Sequence, residues 1–205
     1  MTLNQPLSGY EYLRAQDALN AHVVVSISDI DGNITYVNDK FCQISGYERD
    51  ELLGQNHRIL KSDQHPPTFY KDIWQTISSG EIWTGEVCNR KKNGDYYWMK
   101  STIIPYLDEQ GVPYKYVAYR TDITTIKVQE QTHLDLLNTM GEGVFGLDVE
   151  GNCTFINRAA LTMLGYKQEE IIGQYLHNKI HCYNEDGTPN SESECVVFKA
   201  LHEQI

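Results

Sequence analysis

The segment GQNHRILKS, Gly54 to Ser62, carries His57, Arg58 and Lys61 within five residues. Such a cluster can hold an anion and donate to a polar ring, or it can be a solvated basic loop. Tyr70 and Trp74 follow, four residues apart, so a helix would stack them one turn from each other. Asn89 lies in the stretch IWTGEVCNRKK. Read with the period of a strand, Trp83, Gly85, Val87 and Asn89 share one face, and Thr84, Glu86, Cys88 and Arg90 share the other. That apolar company points the Asn89 carboxamide inward. A buried amide left without partners costs about 1–3 kcal/mol per group, so it must be met by neighbouring backbone or by a ligand with matching donors and acceptors.

Other chemistries find little support. No Gly-rich nucleotide loop, phosphoacceptor region or Ser/His/Asp arrangement with supporting context is present, so no catalytic motif is read in these residues. The five cysteines, Cys42, Cys88, Cys153, Cys182 and Cys195, form no CxxC pair and no even framework, which argues against a disulfide scaffold or structural zinc and fits a reducing cytoplasm. His177, His181, Cys182 and Cys195 are irregularly spaced and read as an insertion loop rather than a metal site. Seventeen Lys and Arg against 28 Asp and Glu give a net charge of -11, which disfavours a nucleic-acid partner. No apolar run approaches the roughly 18 residues of a membrane span, and no signal-peptide layout opens the chain.

The elements that must position these residues emerge from an internal repeat. DIDGNITYVNDKFCQISGYERDELLGQ from Asp29 aligns with DVEGNCTFINRAALTMLGYKQEEIIGQ from Asp148, pairing Asp29/Asp148, Gly32/Gly151, Asn38/Asn157, Gly46/Gly165 and Gly54/Gly173. Each unit reads as two strands about a DGN-type turn and then short helices closed by glycine. In the first, PPTFYKDIWQTISSG makes a helix with Phe69, Ile73 and Ile77 on one stripe and Tyr70, Trp74 and Ile77 on an adjoining one. Three strands follow, with turns at NGD and DEQG. The expected class is α+β, an antiparallel sheet with short helices on one face. Residues 1–20 flank a first domain at 21–126, residues 127–138 form a linker helix, and 139–205 begin a second domain that lacks its last three strands. Along the linker, Ile123, Ile126, Leu134, Leu137 and Met140 lie roughly on one face, suiting a rigid connector or a dimerising helix.

The DxxGNxTxxN turn, the helix ending in SGY, the ELxG run, the NRKKNGDYYW hairpin and the closing DIT together resemble PAS domains, sensory modules of signalling proteins. The first unit is most similar to their FAD-binding redox group. That resemblance implies an FAD site built from Asn38, His57, Arg58, Lys61, Tyr70, Trp74 and Asn89. Asn89 would meet the pyrimidine edge of the flavin, Arg58 and Lys61 its pyrophosphate, and His57 the ring or ribityl chain. It also implies a homodimer formed through the domains or flanking helices, and a downstream signalling partner. Light-sensing relatives carry a cysteine where His57 stands, an Asn where Met99 stands and a Gln where Arg120 stands. A histidine forms no thiol adduct, so redox or oxygen sensing is expected instead. A ligand-free interaction module is the alternative. A haem sensor is weaker still, because the helix holds no histidine and His65 only precedes it.

Overall fold

The computed structural model describes residues 22–180 and, beyond them, residues 187, 188, 190, 191, 195 and 199. The flanking segment 1–20, His181, Cys182 and most of the last helix expected from the sequence lie outside the described residues. The chain divides into two compact units between Val128 and Gln129.

In the first unit, β1 (Val24–Ser28) returns as β2 (Ile34–Val37). The turn between them depends on Asp29, whose carboxylate accepts from the Asn33 backbone at 2.8 Å and from its side chain at 2.9 Å. Those bonds, led by the Asn33 side chain, hold the Asp29 carboxyl below its usual range. Asn38 then caps α1 (Asp39–Ser45), and Gly46 closes it in the left-handed conformation at φ 74°. The short α2 (Arg49–Leu52) opens on a capping box between Glu48 and Glu51. A single 3-10 turn, His57–Leu60, is capped by Asn56 and carries the basic segment. Helix α3 (Pro67–Ser78) starts with proline in its first turn, where the missing N–H costs nothing, and buries Ile73 and Ile77.

The remaining strands, β3 (Trp83–Arg90), β4 (Tyr96–Leu107) and β5 (Pro113–Asp122), complete a five-stranded antiparallel sheet in the order β2-β1-β5-β4-β3. The pleat sends Tyr97, Met99, Ser101 and Ile103 of β4, and Tyr116, Ala118 and Arg120 of β5, toward one shared cavity. Two apolar clusters bound that space. One joins Val24, Phe41, Leu60, Tyr97 and Met99, and the other Ile73, Ile77, Trp83 and Tyr116.

Cys88, on the face of β3 opposite Asn89, is nevertheless buried at 1% exposure. The cause is the segment after the 3-10 turn, which runs along this edge strand. Ser62 Oγ donates to the Cys88 carbonyl at 2.5 Å, and the Cys88 N–H donates to His65 Nε2 at 2.8 Å. Period-two reasoning locates the faces of a strand but not what lies over an edge.

Helix α4 (Thr124–Thr139) overruns the expected linker by a few residues at its start and by one at its end, and none of its residues is buried. The second unit contains β6 (Phe145–Leu147), β7 (Cys153–Ile156), α5 (Arg158–Leu164), α6 (Gln168–Ile171) and α7 (His177–Ile180). Its β6–β7 pairing repeats the β1–β2 register, with Phe145 opposite Ile156 as Ser26 is opposite Val37. No helix among the described residues is long and apolar enough to cross a membrane.

Candidate functional site

Between the sheet and the helices of the first unit lies a cavity of about 350 Å³. That is within the range of small-molecule sites, roughly 300–1,000 Å³. Six of the seven residues singled out from the sequence line it: His57, Arg58, Lys61, Tyr70, Trp74 and Asn89.

Asn38 is placed elsewhere. Its Oδ1 accepts from Val25 N–H and Phe41 N–H, both at 3.1 Å, and its Nδ2 donates to the Val23 carbonyl at 2.7 Å. Asn157 repeats this pattern in the second unit, accepting from Val144 and Ala160 and donating to the Glu142 carbonyl. An asparagine that does the same work in both units is a fold device, tying the first strand to the helix that follows the second.

Helix α3 supplies the aromatic wall. Tyr70 and Trp74 project from successive turns, and Lys61 Nζ lies 4.4 Å from the Tyr70 ring centre. Trp74 is 36% exposed and meets Tyr116 edge to face at 5.8 Å. Its indole also covers the β1–β2 turn, because a Cβ built on Gly32 would stand 2.7 Å from Trp74 Cη2. Gly32 has φ +83°, so both the backbone and the contact demand glycine there. From β3, Asn89 faces the cavity as its alternation predicts, and its carboxamide makes no hydrogen bond among the described residues. Its backbone is held by a bridge to Lys61, so the loop and the strand are fixed to each other.

One charged group of the cavity was not assigned a site role from the sequence. Arg120 enters from β5 and donates from Nη1 to Ser26 Oγ at 2.7 Å, and Ser26 Oγ lies 3.2 Å from His57 Nε2. The Arg120 guanidinium also lies 5.8 Å from the Phe41 ring centre. Burial lowers the Arg120 pKa to about 10, leaving it cationic at neutral pH. His57 is lowered to about 3, first by burial and then by the Arg120 charge, so its imidazole is neutral. The signal for Arg120 was its phase with Tyr116 and Ala118 along β5; an arginine in step with buried residues is itself informative. Ser26 and Asn56 gave no comparable signal.

The lining holds three cations and no Asp or Glu, although the whole chain carries a net charge of -11. None of the described cysteines lines it. His65 does not face it either: it accepts from Cys88 and stacks on Phe69 at 4.0 Å, so the axial ligand considered for a haem is committed elsewhere. Among the described residues no cluster of three His, Cys, Asp or Glu could hold a metal.

A family model described as PAS domain matches residues 21–125, and a second, described as PAS fold, matches residues 135–196. This chain belongs to the PAS domain family. As a pair of PAS units it is 33% identical over 154 residues to the nitrogen fixation regulatory protein of Klebsiella pneumoniae, covering 72% of this chain and 30% of that protein. It is 37% identical over 120 residues to the aerotaxis receptor of Escherichia coli (strain K12), covering 58% of this chain and 24% of the receptor. The biofilm dispersion protein BdlA of Pseudomonas aeruginosa is 34% identical over 147 residues, covering 70% of this chain and 35% of BdlA. The chain thus spans about a quarter to a third of these PAS relatives. Among solved structures, an RNA-binding light-oxygen-voltage receptor superposes with a TM-score of 0.54 at 24% identity, covering 68% of this chain and 42% of that one, which shows the shared fold.

Proposed function

We propose that the first PAS unit binds FAD and senses redox state or oxygen. The observation that carries this reading is the lining itself: aromatic and aliphatic walls, one unpartnered carboxamide, and cations without carboxylates. A flat heterocycle fits between α3 and the sheet. Its alternating acceptors and donor match Asn89, which can both accept and donate. Arg58 and Lys61, exposed at the margin, can pair with phosphates, and a cavity of about 350 Å³ suits the ring while leaving a dinucleotide tail outside it. When bound, the flavin would supply reversible electron transfer. The aerotaxis receptor, similar in sequence, is by its name a receptor for a response to air, which supports the oxygen-sensing reading.

The relay would run through β5. Arg120 stands two residues before Asp122, which accepts from the hydroxyl and N–H of Thr124 at the start of α4. Thr124 Oγ1 in turn accepts from the Trp98 N–H at 3.0 Å, and Lys127 pairs with Glu86 at 2.9 Å. A change of charge beside Arg120 therefore acts on the strand that carries α4. The apolar residues Ile126, Val128 and Leu134 are exposed along that helix, and we propose that it pairs with a second copy to pass the signal to an output domain.

The test is direct. Purified protein should be yellow, bleach with dithionite, recover in air and release FAD on denaturation. Asn89→Ala and Trp74→Ala should each lower FAD retention, and blue light should leave no lasting adduct. A colourless protein that cannot be reconstituted with FAD refutes the reading. Sedimentation at two protein concentrations tests the dimer, and a monomer at both refutes it.

A further inference from the structure

Arg120 stands out in the cavity because nothing balances it. Four elements face it. From β1 comes Ser26, a neutral hydroxyl; from β4, Tyr97, whose hydroxyl is pushed up by burial and is neutral; from α1, the Phe41 ring; and from the 3-10 turn, the neutral His57. Asp122, the nearest acid along β5, is exposed and occupied with Thr124. Arg58 and Lys61 add positive charge from the loop. Arg120 forms no ion pair with a carboxylate among the described residues. A desolvated guanidinium without a counter-ion is expensive, and the usual reason to keep one is a partner that brings negative charge.

We propose that Arg120 is a redox-tuning residue that makes the cavity hold its ligand as an anion once that ligand is reduced. This rests on the flavin reading above. Reduction by dithionite delivers two electrons. One proton from solvent goes to N5 of the ring, and the second negative charge stays on the pyrimidine portion rather than taking another proton. Arg120 supplies the compensating charge without moving, in a wall screened from bulk water where Coulombic effects are large. Oxidised ring is neutral and gains little from the guanidinium, so the cation favours the reduced form and raises the midpoint potential. His57 does not compete for the proton above pH 5, because burial and Arg120 keep it neutral there.

The experiment is a dithionite titration with mediator dyes of the wild-type protein, Arg120→Lys and Arg120→Gln, repeated from about pH 8 to about pH 5.5. A two-electron, one-proton couple falls by about 30 mV per pH unit, and a two-proton couple by about twice that. The wild-type protein and Arg120→Lys should follow the shallower slope throughout. Arg120→Gln should lose ten- to a hundredfold of the preference for the reduced form, about 30–60 mV, and steepen toward the two-proton slope at the acid end. A wild-type slope of two protons across the range overturns the proposal, as does Arg120→Gln with bound flavin and an unchanged potential. If Arg120→Gln retains no flavin, the slopes of wild type and Arg120→Lys decide. A wild-type protein that retains no flavin instead overturns the flavin reading, a result separable from the others by absorbance alone.

Discussion

Replacing His57 with glutamine should flatten the acid side of the stability profile. In the folded protein His57 titrates at about 3, against an ordinary value of 6.5. Between those values the unfolded chain binds a proton that the folded chain refuses, so stability falls as the pH falls. The lowered value therefore means a loss that begins near pH 6.5 and is complete only near pH 3. For one such histidine the cost is about 0.2 kcal/mol at pH 7 and about 2 kcal/mol at pH 5. The window from pH 7 to pH 5 isolates it, because the carboxyls held low by hydrogen bonds, Asp29, Glu51, Asp63 and Asp148, give up their stabilisation only at more acid pH. His65 is also lowered by burial, but it is present in both proteins and cancels in the comparison. Glutamine does not titrate, and its amide can still meet Ser26. Urea denaturation of wild type and His57→Gln at pH 7 and pH 5, followed by fluorescence, should show wild type losing about 2 kcal/mol more than the variant across the window. Equal losses would mean that the imidazole is already protonated or freely hydrated in the folded state, and the Arg120–Ser26–His57 arrangement would be wrong.

Other substitutions probe the frame. Asn38→Ala should cost about 2–3 kcal/mol, combining a lost helix cap with the exposed needs of the Val25 N–H and the Val23 carbonyl, as read from denaturation of the first unit. Asn157→Ala should do the same to the second unit without changing flavin retention in the first. Gly32→Ala should destabilise the protein by more than about 1 kcal/mol and lower flavin retention, since it strains a left-handed residue and displaces the Trp74 ring. Pairing it with Trp74→Ala should recover part of the stability in a double-mutant cycle, and strict additivity would show that the two do not touch.

Much of the fold was legible because local signals agreed with one another. Gly46 and Gly54 mark helix ends, the DGN and NGD turns mark strand reversals, and the apolar stripe of α3 selects Ile73 and Ile77 for burial. The site was legible where its residues obey simple periods: Asn89 by alternation, and Tyr70 and Trp74 by one helical turn. It was not legible where long-range contacts decide. Asn38 was expected in the site only because the resemblance to PAS domains implies it, yet its partners are backbone groups thirteen and three residues away. Ser26 becomes meaningful only when β5, distant in sequence by 94 residues, pairs beside β1 and brings Arg120 to it.

The two units together separate what makes the fold from what makes the site. The repeat preserves the frame: Asp29 and Asp148 hold equivalent turns, Asn38 and Asn157 make equivalent caps, and Gly32 and Gly151 each lie beneath an aromatic ring, Trp74 in one case and Tyr175 in the other. The polar interior is not preserved. Where the first unit has Ser26 and His57, the second has Phe145 and Leu176, both part of its apolar core. A frame that persists while these interior positions change from polar to apolar implies that the frame does not need the hydroxyl or the imidazole. Placing those groups in a low-dielectric wall costs folding free energy, so their presence in the first unit is explained by what they face rather than by what they support. Transplanting the apolar pair, as Ser26→Phe with His57→Leu, should therefore leave the first unit folded, at the cost of the Arg120 hydrogen bond, while abolishing flavin retention. Unfolding of that double variant would show that the polar chain is structural after all.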